Sequence, residues 1–156
     1  MKITKKDKMI ISELLDDGRM RFSDLGSRCK ISRQTAFNRV KQLKNSGVIE
    51  KFTVRPSRSK LGLDFRAYIL VTAEPGKEHR DSLLELLKNK QQISQIHNLF
   101  GRFDFFLEVV VADKDELAIL LNNIHQFESV TKTETFIVCE TLKYEPEGPM
   151  KHSLNE

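Results

Sequence analysis

The chain has 156 residues, 39% hydrophobic and 31% charged, with a formal net charge of +4, which is room for one large domain or two small ones. Residues 1–60 carry sixteen Lys and Arg against six Asp and Glu, while residues 61–156 carry ten against sixteen, so a strongly basic module precedes an acidic one and only the first invites a polyanionic partner. No apolar run approaches the ~20 residues of a bilayer span, the charged N-terminus lacks a secretory apolar region, and the lone Cys29 and Cys139 make no disulfide framework; the expectation is a cytoplasmic protein with no membrane partner.

Thr4-Lys5-Lys6-Asp7 reads as a capping box with Asp in place of Glu. Met9, Ile10, Ile11, Leu14 and Leu15 then give a helical apolar face that ends near Asp16-Asp17-Gly18. A second, short helix fits residues 23–30, with Ser23 as N-cap, Phe22 as a staple before it, and Leu25 and Cys29 facing inward. Ile31-Ser32 leads directly into a third helix that Ser32 caps and Gly47 ends. Its apolar stripe is only Ala36, Val40 and Leu43, at i, i+4 and i+7. The rest is cationic or hydrogen-bonding, and two helices about three residues apart, the second polar outside, match helix-turn-helix arithmetic. Taken alone, such a basic amphipathic helix reads first as a solvated surface; the helix before it reverses that reading in favour of nucleic acid. Arg33, Gln34, Thr35 and Asn38 are the expected base readers. Ser32, Arg39 and Lys41, with Lys6, Arg19 and Arg21, are the expected backbone contacts. Phe37 lies beside the stripe and is open to two readings, packing under the turn or touching a thymine methyl.

Val48 to Arg55 alternates as a strand or wing until Pro56 stops it, and Ser57-Arg58-Ser59-Lys60 is a polar linker. Phe65, Ala67, Ile69, Val71 and Ala73 then alternate as a strand ending at Pro75-Gly76. A helix is expected over 79–90, a strand over 93–100, a tight turn at Gly101-Arg102-Phe103-Asp104 and a strand over 105–112. Leu117, Leu120, Leu121, Ile124 and Phe127 mark a further helix, and a last strand is expected over 130–142. The order βαββαβ predicts a ferredoxin-like plait. Helices cover one face of such a sheet, yet Phe105 to Val111, Tyr68 to Val71 and Phe136 to Val138 are apolar on both faces. A second copy is the simplest cover. A two-fold dimer also suits a helix-turn-helix reader, which places two recognition helices one DNA turn apart, ~34–36 Å.

Asp7-x-x-Ile10-Ile11-x-x-Leu14, Gly18-Arg19, Leu25, Ile31-Ser32, Arg39-Val40-x-x-Leu43, Gly47-Val48-Ile49 and Leu61-Gly62 together resemble the leucine-responsive/asparagine-regulator (Lrp/AsnC) family of prokaryotic transcription factors, over essentially the whole chain. The resemblance implies an α+β protein with a (winged) helix-turn-helix over 1–50 and a hinge strand and linker over 51–62. An effector-binding and oligomerisation plait over 63–145 and a C-terminal tail over 146–156 follow. It implies double-stranded DNA and further copies of itself as partners, as a dimer extendable to a tetramer or octamer. No cofactor is implied beyond a small effector, commonly an amino acid. By the same resemblance Gly101, Arg102, Phe103 and Asp104, with Thr133 and Thr135 in the last strand, would line the effector site. Asp104 could take an α-ammonium and the threonines an α-carboxylate. From the residues alone that segment reads first as a structural turn; the resemblance is what raises the effector reading beside it. Lys44, Phe100 and Glu128-Ser129-Val130 depart from the family pattern, the first toward greater basicity.

His79, His97, His125 and His152 are dispersed without metal-ligand spacing. No phosphate-binding glycine loop, nucleophile elbow or paired carboxylate is present, so neither a catalytic nor a metal site is expected. Two alternatives to a specific regulator share these residue types: a low-specificity DNA-packaging protein of the same fold, and a metabolite-binding module for an enzyme, which the basic N-terminal half disfavours.

Overall fold

The structure is a computed structural model describing residues 2–155, and its chain forms two compact units. In the first, α1 (Lys5–Asp16) begins at a reciprocal cap: Thr4 Oγ1 accepts the Asp7 amide while Asp7 accepts the Thr4 amide at 2.9 Å. This is the box expected from the sequence. Helix α2 (Phe22–Cys29) starts earlier than its polar residues suggest. Ser23 is not its cap. Arg21 holds that position with no side-chain bond, and its carbonyl accepts the Asp24 and Leu25 amides. Phe22 opens the helix instead of preceding it and packs edge-on against Phe37, ring centroids 5.4 Å apart. Lys30 closes α2 in the left-handed region.

Helix α3 (Arg33–Asn45) is capped by Ser32, whose hydroxyl accepts the Thr35 amide at 3.0 Å. Beyond its end Gly47 sits at φ +75, a conformation that strains any L side chain. Ala36, Val40 and Leu43 are the buried residues of α3, and they join Ile10, Leu25 and Cys29 in one core. Burial pushes the Cys29 thiol up, with Glu13 adding to the shift and Lys6 opposing it.

The alternating residues 48–55 form no strand and no wing hairpin. Phe52 and Val54 stand exposed, because alternation makes a strand only when a neighbouring backbone supplies the ladder. From Lys143 the chain belongs again to the first unit. There α6 (Gly148–Asn155) packs on α1: Lys151 pairs with Asp16, and Lys8 Nζ donates to the Ser153 carbonyl at 3.3 Å. Arg55 donates to both carboxylate oxygens of Glu147 at 3.1 Å and lies over the Tyr144 ring.

The second unit spans Pro56–Leu142. After a 3-10 turn at Ser59–Leu61 come β1 (Phe65–Ala73), α4 (Lys77–Lys88), β2 (Ile93–Asn98), β3 (Phe105–Val111), α5 (Lys114–His125) and β4 (Val130–Ile137). This is the expected βαββαβ order. The sheet runs β2-β3-β1-β4 with every pair antiparallel. The register sets Ala67, Ile69 and Val71 opposite Val109, Leu107 and Phe105. All six are buried, with Leu83 and Leu87 of α4 and Leu117, Leu120 and Ile124 of α5. Each of the Val, Leu, Ile and Phe side chains among them contributes ~1.5–3 kcal/mol relative to leaving it exposed.

Two strands end sooner than expected, for one reason. With Ala67 paired to Ile137, the start of β1 at Phe65 leaves residues beyond 139 nothing to pair with, so β4 cannot reach 142, and it ends at Ile137. Similarly β2 stops at Asn98, the partner of Phe105, where β3 begins. Helix α4 starts at Lys77, immediately after Pro75-Gly76, and closes at Lys88.

The sheet's other face carries half-buried Tyr68, Leu70, Phe106 and Val110, with the Tyr68 and Phe106 rings stacked at 5.2 Å. Glu108 interrupts it, only 7% exposed and paired with Arg58 at 3.5 Å and Arg66 at 3.4 Å. Among the described residues no helix is long and apolar enough to cross a membrane.

Candidate functional site

The core takes the inner face of α3, and this decides what remains outside. Arg33, Gln34, Thr35 and Asn38 are all exposed, and Lys41 with them. No acidic residue occupies the first turn. Two of the expected readers are already held: Gln34 Nε2 donates to Asn38 Oδ1 at 3.1 Å across one helical turn. The Ser32 and Thr35 hydroxyls lie 2.8 Å apart. The face therefore offers an arginine fork, two amides and a hydroxyl pair, the groups that match base edges and phosphates. Phe37 packs against Phe22 and still leaves 43% of its surface exposed.

The expected backbone contacts divide into three kinds. Arg19 and Arg21 are exposed at the α1–α2 turn, the Arg19 amide donating to Asp17 Oδ1. Lys6 is engaged within the protein, its ammonium donating to the Cys29 carbonyl at 2.7 Å, where it also faces the negative end of α2. Arg39 lies 3.6 Å from Asp7, a carboxylate that is itself 2% exposed. Sequence patterning flags Asp7 as a cap, but nothing local to it signals a partner on α3. Gly26 also escapes the pattern: a Cβ there would meet the Ile31 carbonyl oxygen at 2.8 Å, so α2 and the start of α3 approach as closely as backbones allow.

In the second unit the turn 101–104 is built around Asp104. Its amide donates to the Val71 carbonyl and its carbonyl accepts the Leu99 amide, both at 2.8 Å. Its carboxylate accepts the Ala73 amide at 2.9 Å on one oxygen and Arg80 at 2.7 Å on the other. Arg80 also donates to Asn98 Oδ1 at 2.7 Å. Asp104 is thus the post on which the end of β1, the β2–β3 turn and α4 are fastened, and Arg80 is the residue that sequence reasoning missed.

Arg102 reaches Glu134 at 3.2 Å, Lys132 reaches the same carboxylate at 2.6 Å, and both cations lie over the Phe103 ring. The hydrogen bond from Lys132 holds the Glu134 carboxyl below the usual carboxylate range, and Arg102 adds to it. Thr133 pairs with Val71 and Thr135 with Ile69, both of which point to the helix-bearing face, and Thr133 is hydrogen-bonded to His125 of α5. The threonines expected beside the turn therefore lie on the other face of β4 from Lys132 and Glu134, which accompany Arg102 and Phe103. Among the described residues no group of three or more His, Cys, Asp or Glu could hold a metal ion.

Residues 3–50 match the family model for a winged helix-turn-helix DNA-binding domain, and residues 66–148 match that of the Lrp/AsnC ligand-binding domain. The HTH-type transcriptional regulator FL11 of Pyrococcus furiosus is 30% identical over 145 residues, which span 93% of this chain and 95% of that protein. An HTH-type transcriptional regulator of Pyrococcus horikoshii is 31% identical over 139 residues, 88% of this chain and 87% of that protein. A transcriptional regulator of Neisseria meningitidis solved in complex with L-methionine has the same fold, with a TM-score of 0.90 at 21% identity over 97% of this chain and 99% of that one. AsnC of Escherichia coli gives a TM-score of 0.86 at 24% identity, covering 93% and 97%.

Proposed function

Because the chain belongs to the Lrp/AsnC family of transcriptional regulators, we propose that it recognises specific DNA sequences through α3 and adjusts that binding to a small effector, an amino acid. The observation that carries the reading is the division of α3. Its inner face is wholly committed to the core, and its outer face presents Arg33, Gln34, Thr35 and Asn38 with no carboxylate in the first turn. Those four read base edges; Ser32, Arg39 and Lys41, with Arg19 and Arg21, hold the phosphates. Lys6, engaged by the Cys29 carbonyl, contributes through its charge.

The protein acts as a dimer in this reading. The helix-free sheet face, with stacked Tyr68 and Phe106, is the surface that a second copy covers. That copy also supplies a backbone partner for residues 51–55, which form no strand among the described residues. On specific DNA at physiological salt the affinity is expected to exceed that for random duplex by ~10³-fold or more. Footprinting should give protections at half-sites one or more helical turns apart. Featureless coverage at equal affinity would identify a DNA-packaging protein instead.

The effector reading draws on the matched ligand-binding domain and on the methionine bound to the Neisseria neighbour. Gly101, Arg102, Phe103 and Asp104 are its proposed residues; Thr133 and Thr135, on the other face of β4 from Lys132 and Glu134, are not part of it. Asp104 binds an ammonium only through lone pairs left over from Ala73 and Arg80. The effector acts by preferring one arrangement of dimers over another, which changes the spacing of the reading helices. A thermal-shift series over the twenty amino acids tests it: a true effector at 100 times its Kd adds ~2.7 kcal/mol, and a flat series would remove the effector from this proposal.

A further inference from the structure

The first turn of α1 reaches three other helices through three consecutive residues. Lys6 holds the last carbonyl of α2, Asp7 faces Arg39 of α3, and Lys8 holds the Ser153 carbonyl of α6. The middle contact does something that the cap does not need. A capping box works at a solvated helix end, with one carboxylate oxygen accepting the N-cap amide. Asp7 does this with Oδ2, which takes both the Thr4 amide at 2.9 Å and the Thr4 hydroxyl at 2.6 Å. Its Oδ1 is turned to Arg39 at 3.6 Å. The group is nonetheless 2% exposed, and a carboxylate taken out of water is costly unless a cation answers it. The answering cation comes from the helix that carries the readers.

Arg39 stays 40% exposed at its side chain while Asp7 faces one of its amino groups. A guanidinium has five N–H donors in a rigid fork, so one end faces the buried carboxylate and the rest of the fork remains for another acceptor. A free surface arginine surrenders its rotamer freedom when it grips a phosphate, whereas one already held has less to lose. The opposing term is the negative charge of Asp7, which reduces the pull of Arg39 on a phosphate. Since that phosphate approaches the far side of the fork, through water and counterions, the attraction outweighs the more distant repulsion.

We propose that Asp7 is a positioning residue for DNA binding: it holds the Arg39 fork in the direction from which it grips a backbone phosphate beside the groove that α3 reads. The proposal rests on the reading of α3 given above and deepens it, since the sequence marks Asp7 only as a cap and as the first residue of the family motif, with no link to Arg39.

The test is a double-mutant cycle in the full-length protein with Asp7→Asn, Arg39→Ala and both together. Affinity is measured by fluorescence anisotropy on a duplex selected in vitro for tight binding, from 50 to 200 mM salt. Arg39→Ala should weaken binding about 5- to 20-fold and lower the salt slope by about one. Asp7→Asn should cost about 3- to 10-fold alone and less than 2-fold when Arg39 is already alanine, the signature of two coupled groups. Thr4→Ala, which removes a capping partner and leaves Asp7 facing Arg39, should lower Tm with no change in DNA affinity. An equal Asp7→Asn loss in both backgrounds, no loss at all, or a Thr4→Ala loss as large would overturn the positioning role. An unchanged affinity and slope on Arg39→Ala would instead remove Arg39 from the phosphate contacts, and the proposal with it.

Discussion

Replacing Arg33 with alanine is expected to weaken binding to the preferred duplex about 10- to 100-fold while leaving affinity for random DNA nearly unchanged, because a good bidentate base contact discriminates by ~1–3 kcal/mol. Arg33 opens α3, is exposed, and shares its outer face with the linked pair Gln34 and Asn38. Lys41, two turns further on and equally exposed, should behave differently. Lys41→Ala ought to lower affinity on both duplexes alike and reduce the dependence of log K on log salt by about one, the mark of a lost phosphate. Anisotropy titrations at three salt concentrations separate the two patterns. An equal loss on both duplexes for Arg33→Ala would make Arg33 a phosphate contact and leave sequence reading to the amides.

Gly26→Ala is expected to destabilise the N-terminal unit by about 1–3 kcal/mol, the usual cost of forcing one extra methyl into a packed site. The added Cβ meets the Ile31 carbonyl oxygen at 2.8 Å and the Arg33 amide nitrogen at 3.3 Å. Both are backbone atoms of the α2–α3 turn, so no side-chain rotation relieves the contact. The Ile31 amide also donates to the Gly26 carbonyl at 2.9 Å, which fixes the geometry from the other side. Relief must come from moving the start of α3, and Ser32 and Arg33 move with it; DNA affinity should therefore fall along with stability. Urea denaturation followed by circular dichroism reads the first effect. A midpoint at the wild-type urea concentration would show that the turn has slack the geometry denies.

Most of the architecture was legible from periodicity. The 3.6-residue stripe Ala36, Val40, Leu43 and the alternation Ala67, Ile69, Val71 name their buried residues correctly, because each element hides one face and its spacing records which. The cap at Thr4 and the stops at Gly47 and Pro75-Gly76 are local events, decided within a few residues. Signals failed where a partner was required. Ser23 looks like a cap, yet the packing of Phe22 against Phe37 draws the helix start back past it. Residues 48–55 alternate without a ladder, and β4 stops where β1 runs out. Residues 148–155, read as tail, form a helix because α1 offers them Asp16 and Lys8.

The candidate sites divide along the same line. Residue types and helical spacing alone select Arg33, Gln34, Thr35 and Asn38, since choosing an outer face requires only the inner one. The contacts of Asp7, Gly26 and Arg80 became visible only in three dimensions. Their partners Arg39, Ile31 and Asp104 come from other helices or turns, and sequence carries no distance between segments that are not neighbours. By itself the sequence determined most of the elements and their order, the basic outer face of α3 and the family resemblance. Tertiary structure decided which charges are already answered: Asp104 by Arg80, Glu134 by Lys132, and Arg39 by a carboxylate buried at the first turn of α1. Such pairing depends on distances of a few ångströms between chain segments, and folding alone sets them.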